Sequence, residues 1–296
     1  MELRQLEYVV GVVDHAGFTR AAAALFVSQP ALSQGVRALE AELGIDLFVR
    51  AGRHVSLTPA GEAFLGPARQ ALRDTVTARA AVDDVAGLRS GHLDIVCLPT
   101  LAVDPVAALI GRFRSAHGSV AVRLAEPDDP AAIVSLVQSG AAEIGCTDVV
   151  PDGSGLEVVE LEPQRYMAVL PPGSSGLPTG AIRLGALAAL PLITTPAGTS
   201  TRRLLDDALA SAGVGAEFAV ETDHREAITE LVLAGAGAAI LPASMAGTAA
   251  ERGAEIREVR PLIVRRVLLV HRPGTLAPAG RAFVALAGGS VGPGSA

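Results

Sequence analysis

The sequence predicts an N-terminal all-α unit carrying a small β-hairpin, then a long linking helix, then an α/β region of two lobes. Three observations lead there. Apolar residues recur at helical spacing from Leu3 to Leu43, in segments that end at glycines. A stretch from Thr58-Pro59 to Leu88 holds few helix stops. From Gly91 onward, short apolar runs alternate with helical segments, the pattern of an α/β domain.

Composition sets the outer bounds. At 296 residues the chain is too long for one ordinary α/β domain, so two or three globular units are expected. Half of it is hydrophobic, which excludes a disordered or fibrous chain. Met1-Glu2-Leu3-Arg4-Gln5 places charges where a signal peptide needs an apolar core. No apolar run reaches the roughly 18 residues of a membrane span. A cytoplasmic protein with no membrane partner is therefore expected. Cys97 and Cys146 are too few for a disulfide framework or a metal site. The net charge is −7, and residues 1–58 set Arg4, Arg20, Arg37, Arg50 and Arg53 against Glu2, Glu7, Asp14, Glu40, Glu42 and Asp46. Bulk charge thus gives no support to nucleic-acid binding, and only a local patch can supply it. The chain lacks Lys and Asn, as a GC-rich genome would explain, so Arg at a given position carries little weight as a choice over Lys.

The elements follow in order. Leu3, Leu6, Val9, Val10 and Val13 form one helical stripe that Gly17 ends. An Ala-rich helix runs from Thr19 to Leu25. Ser28 caps a third helix, with Pro30 in its first turn and Gly44 closing it after Leu43. Leu47–Arg50 and Val55–Leu57 flank Ala51-Gly52-Arg53-His54 as a hairpin or wing. In the long helix Phe64, Ala68, Ala71, Thr75, Ala78, Val82 and Val85 recur in steps of four and three, a weak coiled-coil seam, with Pro67 as an early kink. This reads as a dimerisation helix; the alternative is a helix packed on its own domain.

Beyond Gly91 the first unit reads as strand Leu93–Leu98, a helix from Asp104-Pro105 to His117, strand Val120–Leu124, helix Ala131–Ser139 and strand Glu143–Thr147. A second unit begins near Gln164 with strand Tyr166–Leu170. It continues through Leu192–Thr194, helix Thr201–Ala212, strand Glu217–Glu221, helix Arg225–Ala234 and strand Ala238–Leu241. Strand Val264–Val270 returns to the first unit, and helix Pro278–Leu286 ends it before a disordered tail from Gly288. Two lobes joined by two crossings describe a hinged binding protein.

The third helix carries the chemistry. Leu32, Val36, Leu39 and Leu43 make its apolar stripe, leaving Gln29, Ser33, Gln34 and Arg37 on a polar face able to enter a major groove. Gln and Ser can read base edges, and Arg37 can hold a phosphate or a guanine; the alternative is that all of them are solvated helix residues. Arg50 suits a phosphate, and Arg53 at the wing tip suits the minor groove or the backbone.

Ser28-Gln29-Pro30-Ala31-Leu32-Ser33, Leu39-Glu40, Leu43-Gly44, Leu47-Phe48, Arg50 and Leu57-Thr58-Pro59-Ala60-Gly61 resemble the LysR-type transcriptional regulators in order and spacing. Leu98-Pro99-Thr100-Leu101-Ala102, Phe113-Arg114 and Ala234-Gly235-Ala236-Gly237 leading to Leu241-Pro242 resemble that family's sensing domain more loosely. The resemblance implies an N-terminal all-α winged helix-turn-helix with a long linker helix, followed by a two-lobed α/β periplasmic-binding-protein-like effector domain. The expected boundaries are 1–58 for the DNA-binding unit, 59–89 for the linker and 90–296 for the effector domain. Lobe I would take 90–163 and 268–290, and lobe II 164–267. Gly35 departs from the pattern, standing where the family usually carries a larger side chain. It would either let the backbone approach DNA closely or lose a contact.

The resemblance further implies a regulator that is not an enzyme and carries no cofactor. It would bind double-stranded DNA at an interrupted inverted repeat near promoters, with RNA polymerase as a further partner, as a homodimer or homotetramer. A small organic effector, such as an organic or amino acid, would lie in the cleft. Pro30 joins the expected DNA contacts. Thr100, Asp128, Thr147, Thr199, Thr201 and His224 are the cleft candidates, at strand ends and helix starts. The structural alternative is that such hydroxyls are only caps. No Arg can be placed in the cleft from the sequence, which argues against a strongly charged dianion. Cys97 and Cys146 end neighbouring strands among apolar residues, which suits inert core thiols better than a redox pair. Enzyme motifs are missing: Gly235-Ala236-Gly237 leaves a helix and enters a strand, the reverse of a dinucleotide fingerprint.

Overall fold

The computed structural model describes residues 1–51, 54–84, 91–174, 180–274 and 276–289. Its N-terminal unit consists of α1 (Leu3–Asp14), α2 (Phe18–Ala24), α3 (Gln29–Leu43) and the hairpin β1 (Phe48–Ala51) with β2 (His54–Leu57). Tyr8, Val9 and Val12 of α1 meet Ala21 and Ala22 of α2 and Leu32, Val36 and Leu39 of α3 in one core, closed by Leu47 and Phe48. The third helix begins and ends where its caps require. Ser28 Oγ accepts from Ala31 N at 3.3 Å, and Gly44 adopts a left-handed φ of 71°.

The linking helix α4 spans Pro59–Asp84, with Pro67 inside it. Its first half packs on the chain's own N-terminal unit. Ala60 and Phe64 press on that core, Leu65 and Ala68 are buried, and Arg69 pairs with Asp14 of α1. Phe64 and Ala68 of the expected seam thus face this chain, whereas Ala78 is exposed. Val85 and the side chain of Val82 lie outside the described residues, as does the expected stretch to Leu88.

The rest forms a mixed sheet flanked by helices. Among the described residues its strands are β3 (Gly91–Cys97), β4 (Val120–Ala125), β5 (Ile144–Thr147), β6 (Glu157–Leu170), β7 (Ile182–Arg183), β8 (Leu192–Thr194), β9 (Phe218–Glu221), β10 (Ala238–Pro242) and β11 (Glu255–His271). They pair in the order β4-β3-β5-β11-β6-β10-β8-β9, with β7 beside β11. The helices are the turn α5 (Pro99–Leu101), α6 (Ala107–Ala116), α7 (Pro130–Gln138), α8 (Leu184–Ala188), α9 (Ser200–Ala212), α10 (Arg225–Leu233), α11 (Ala243–Glu251) and α12 (Pro278–Gly288).

Two strands do the joining. The antiparallel pair β6 and β11 runs from His271↔Glu157 to Glu255↔Leu170, with irregularities between Glu258 and Ile263 and between Arg265 and Val267. One end of the pair, through Leu161, Val267 and Leu269, belongs to a core with β3, β5, α6 and α12. The other end, through Tyr166, Ala168, Leu170 and Val259, belongs to a core with α8, α9 and β10. The last strand begins before the expected Val264. The structure puts Pro261 at the irregularity, where a missing N–H breaks no regular pair, so the strand extends back to Glu255.

Two further differences have local causes. The helix expected from Asp104 already turns at Pro99, breaks at extended Asp104 (φ −151°, ψ 119°), and resumes at Ala107. Gln164 Nε2 donates to Asp104 O at 2.8 Å and so holds the break. Helix α11 has no sequence counterpart above, since its Ala, Gly and Thr give little apolar contrast, although Ala246 and Ala249 are fully buried. Helix α12 reaches Gly288, where the tail was expected to start, and the rest of that expectation, residues 290–296, lies outside the described residues.

Candidate functional site

The α3 helix presents its polar face outward. Gln29, Pro30, Gln34 and Arg37 are exposed and Ser33 is half-buried, while Leu32, Val36 and Leu39 are fully buried beneath them. Arg53 lies outside the described residues; Arg50 sits in β1, and its side chain is likewise outside them. The turn before α3 adds a residue that apolar patterning passes over. Phe26 is 96% exposed at a left-handed φ of 54°, beside Ser28 and Gln29. A left-handed φ is uncommon for a bulky residue, and the turn holds this ring out in solvent next to the polar face of α3.

Gly35 faces inward. A Cβ there would stand 2.6 Å from Tyr8 Cδ2 and 2.7 Å from Cε2, so glycine is what lets the Tyr8 ring lie against α3. Neither option drawn from the sequence applies, because the position looks at the core and not at DNA. Other residues of the N-terminal pattern acquire mechanical reasons. Buried Glu40 accepts from Leu47 N at 3.0 Å and Phe48 N at 3.2 Å, tying the end of α3 to the wing. Thr58 Oγ1 donates to Asp46 O at 2.7 Å and accepts from Gly61 N at 3.0 Å, capping α4. A Cβ at Gly61 would collide with Leu47 O, so α4 can dock on the wing only through glycine.

A cavity of about 440 Å³ opens between the two sheet-bearing lobes, within the usual size of a small-molecule site. Pro99, Thr100, Val103, Leu124, Glu126 and Asp128 line one side; Asp223, Arg225, Glu226 and Met245 line the other. The Arg225–Asp128 ion pair spans it. Beneath Thr100 lies Arg265 of β11, 2% exposed. Its Nη2 donates to Thr100 Oγ1 and to Gln164 Oε1 (2.6 Å), and its Nη1 to Ser200 Oγ at 3.3 Å. Ser200 Oγ donates in turn to Asp148 Oδ2 at 2.5 Å. The guanidinium stands 5.4 Å from the ring centre of Tyr166, whose buried hydroxyl has no hydrogen-bond partner though Thr100 and Thr201 stand close by. One buried cation thus joins β6, β11, α5 and the start of α9.

Comparisons with known proteins agree along most of the chain. Residues 3–62 match the model of the bacterial regulatory helix-turn-helix protein, lysR family, and residues 86–290 match the LysR substrate binding domain. The chain belongs to the LysR family. It is a transcriptional regulator with a DNA-binding helix-turn-helix and an effector-binding domain, and its relatives are regulators, not enzymes. It is 35% identical to the SDS degradation transcriptional activation protein of a Pseudomonas species, across 95% of this chain and 94% of that one. It is 28% identical to the RuBisCO operon transcriptional regulator of Allochromatium vinosum, across 96% and 94%. Among solved structures, full-length OxyR from Pseudomonas aeruginosa superposes with a TM-score of 0.78 at 24% identity, covering 97% of this chain and 93% of that one. Full-length CbnR complexed with its target DNA superposes with a TM-score of 0.66 at 25% identity, covering 98% and 100%.

In this LysR-family regulator the expected cleft residues divide. Thr100 and Asp128 line the interlobe cavity together. Thr201 instead lines a small internal space with Tyr166, Thr194 and Thr195. Thr199 acts as a cap: its Oγ1 accepts from Arg202 N at 3.3 Å and shares a 2.6 Å hydrogen bond with Thr195. Thr147 is fully buried, with its hydroxyl donating to Val149 O at 3.3 Å. His224 is exposed at the start of α10, beside the cavity-lining Asp223 and Arg225. Contrary to the expectation of a cleft without arginine, Arg225 lines the cavity and Arg265 underlies it. Their role follows from strand and helix register over more than ninety intervening residues, which no local spacing announces.

Cys97 and Cys146 face each other across parallel β3 and β5, both fully buried. Burial pushes the Cys97 thiol up to about 12 and raises Cys146 further. Thiols held neutral at ordinary pH are poor nucleophiles.

Proposed function

We propose that this regulator reads an interrupted inverted repeat near a promoter as a homodimer or homotetramer, and that an amino-bearing metabolite in the interlobe cleft switches it. In this reading Gln29, Ser33 and Gln34 meet base edges. Arg37, Arg50 and Arg53 hold phosphates or a guanine, Pro30 closes the helix start against the groove, and Phe26 packs on a sugar or thymine methyl. The unit 1–58 grips DNA, 59–89 links and pairs chains, and 90–296 senses. The protein works in the cytoplasm, where it meets RNA polymerase at the promoter.

One observation carries the effector's chemistry. The cavity lining holds Glu126, Asp128, Asp223 and Glu226 against Arg225, whose guanidinium is already paired with Asp128. Such a rim attracts an ammonium and repels a second carboxylate, so an amino acid fits better than a diacid. The ligand's polar end reaches Thr100, and through it the Arg265 network that ties β6 to β11. Binding that favours one lobe arrangement shifts the population of that arrangement.

The test is a thermal-shift screen of amino acids, amines and dicarboxylates, followed by footprinting on the upstream DNA of its own gene with and without the hit. An amino-bearing hit that alters the footprint supports the reading, and Thr100→Val should weaken its binding by roughly fivefold, about 1 kcal/mol. A dicarboxylate hit, or a hit whose affinity ignores both Thr100→Val and Asp223→Asn, refutes it.

A further inference from the structure

The interlobe cavity is bridged at its rim by opposite charges. Asp128 follows β4 in the first lobe, and Arg225 opens α10 in the second. Arg225 Nη2 donates to Asp128 Oδ1 across 97 residues of sequence.

This pair is easily exchanged. It runs through Nη2 and Oδ1 while Arg225 Nε is buried with no hydrogen-bond partner, so it lacks the two parallel bonds of a guanidinium–carboxylate fork. The Asp128 side chain is 55% exposed and that of Arg225 16%. Asp128 is therefore free to turn, and water screens the attraction, so the net contribution of such a pair is small. The rest of the lining limits what can replace it. With Glu126, Asp223 and Glu226 beside Asp128, four carboxylates face the one guanidinium of Arg225, which favours an arriving cation. Pro99, Val103, Leu124 and Met245 supply an apolar part. Thr100 Oγ1 accepts from Arg265, which leaves its own hydrogen to donate into the cavity.

We propose that the effector is an α-amino acid with an apolar side chain, and that it takes the place of the ion pair, its carboxylate on Arg225 and Thr100 and its ammonium on Asp128. This rests on the reading that an amino-bearing metabolite fills the cleft. The exchange replaces one half-exposed pair with two charge-assisted contacts. An α-amino acid is the shortest ligand that carries both charges, so it enters between two touching groups with the least parting of the lobes. A diamine sets Arg225 against a like charge, and a dicarboxylate does the same to Asp128. The side chain then lies on Val103, Leu124 and Met245. The exchange is also the switch. A direct contact between lobes becomes a contact through the ligand, which holds the lobes farther apart and favours that arrangement.

The test uses the full-length protein at constant ionic strength. L-valine, L-leucine, L-methionine, L-phenylalanine and succinate are titrated calorimetrically. The tightest-binding amino acid is then compared with its decarboxylated amine and its deaminated acid, in the unmodified protein, Arg225→Gln and Asp128→Asn. Saturable binding at one site per chain is expected, with both analogues weaker by about tenfold or more, as loss of a charge-assisted contact requires. Arg225→Gln should abolish the preference over the amine and keep the preference over the acid; Asp128→Asn should do the reverse. A merely structural role lowers all three affinities alike, and that result overturns the proposal, as does binding by none of the four amino acids. An amine that binds as tightly as its amino acid overturns it and spares the reading of an amino-bearing effector, whereas tighter binding of succinate overturns both. If Arg225→Gln does not fold, Asp128→Asn at its exposed position decides alone.

Discussion

Replacing Gly35 by Ala sets two effects of opposite sign against each other. In an exposed helix the change would stabilise α3 by about 1 kcal/mol, because glycine has the larger conformational entropy to lose. Here the added methyl would stand 2.6 and 2.7 Å from two carbons of the Tyr8 ring, where ordinary carbon contacts lie near 3.5–4.0 Å. Tyr8 is only 7% exposed and packs in the core with Val9, Val36 and Leu39, so the ring has nowhere to retreat without moving α1. Overpacking of this kind costs about 1–3 kcal/mol, which outweighs the propensity gain. The Tyr8→Ala background removes the obstacle, so there Gly35→Ala should stabilise. A double-mutant cycle followed by amide exchange across Gln29–Leu43 should therefore give a coupling of about 1–3 kcal/mol and a change of sign. Equal effects of Gly35→Ala in both backgrounds would refute the reasoning.

Three more outcomes follow from the same geometry. Glu40→Ala leaves the buried N–H groups of Leu47 and Phe48 without their carboxylate, at about 1–3 kcal/mol each, and should loosen the wing in amide exchange; Glu40→Gln keeps an acceptor and should cost clearly less. Gly61→Ala forces a methyl against Leu47 O, a backbone atom, so DNA affinity and the melting temperature should both fall, whereas Gly66→Ala, which meets only Gln138 O at 4.0 Å, should be mild. At pH 8 a thiol reagent should leave Cys97 and Cys146 unlabelled in the native protein and label both in denaturant. Their folded pKa values lie above the unfolded value, so the stability they confer is complete below about pH 8.5 and lost as pH rises towards 12, which a pH series of melting temperatures reads directly.

What the sequence determined by itself was everything with a short-range signal. The capping Ser28, the stop at Gly44, the stripe of Leu32, Val36 and Leu39 and the alternation of strands with helices each depend on neighbours a few residues away, so α3 and its exposed face were legible to the residue. The strand-end and helix-start rule was only partly informative: it picked Thr100 and Asp128, which line the interlobe cavity, and equally Thr147, Thr199 and Thr201, which do not. Only the tertiary structure decided which residues of distant segments meet. Gly35 looked like a defect in a recognition helix until the Tyr8 ring was seen against it. Arg265 looked like one more charge in a strand, yet it reaches Thr100 across 165 residues, and Arg225 reaches Asp128 across 97. Arg73 and Arg272 meet over Gly140 for the same reason. Such contacts depend on how β6 and β11 pair and where that pairing slips, and on how α4 docks against the first lobe. Local periodicity carries an element's own face but not its register against a partner, because the free energy that selects the register comes from packing between chain segments far apart in sequence.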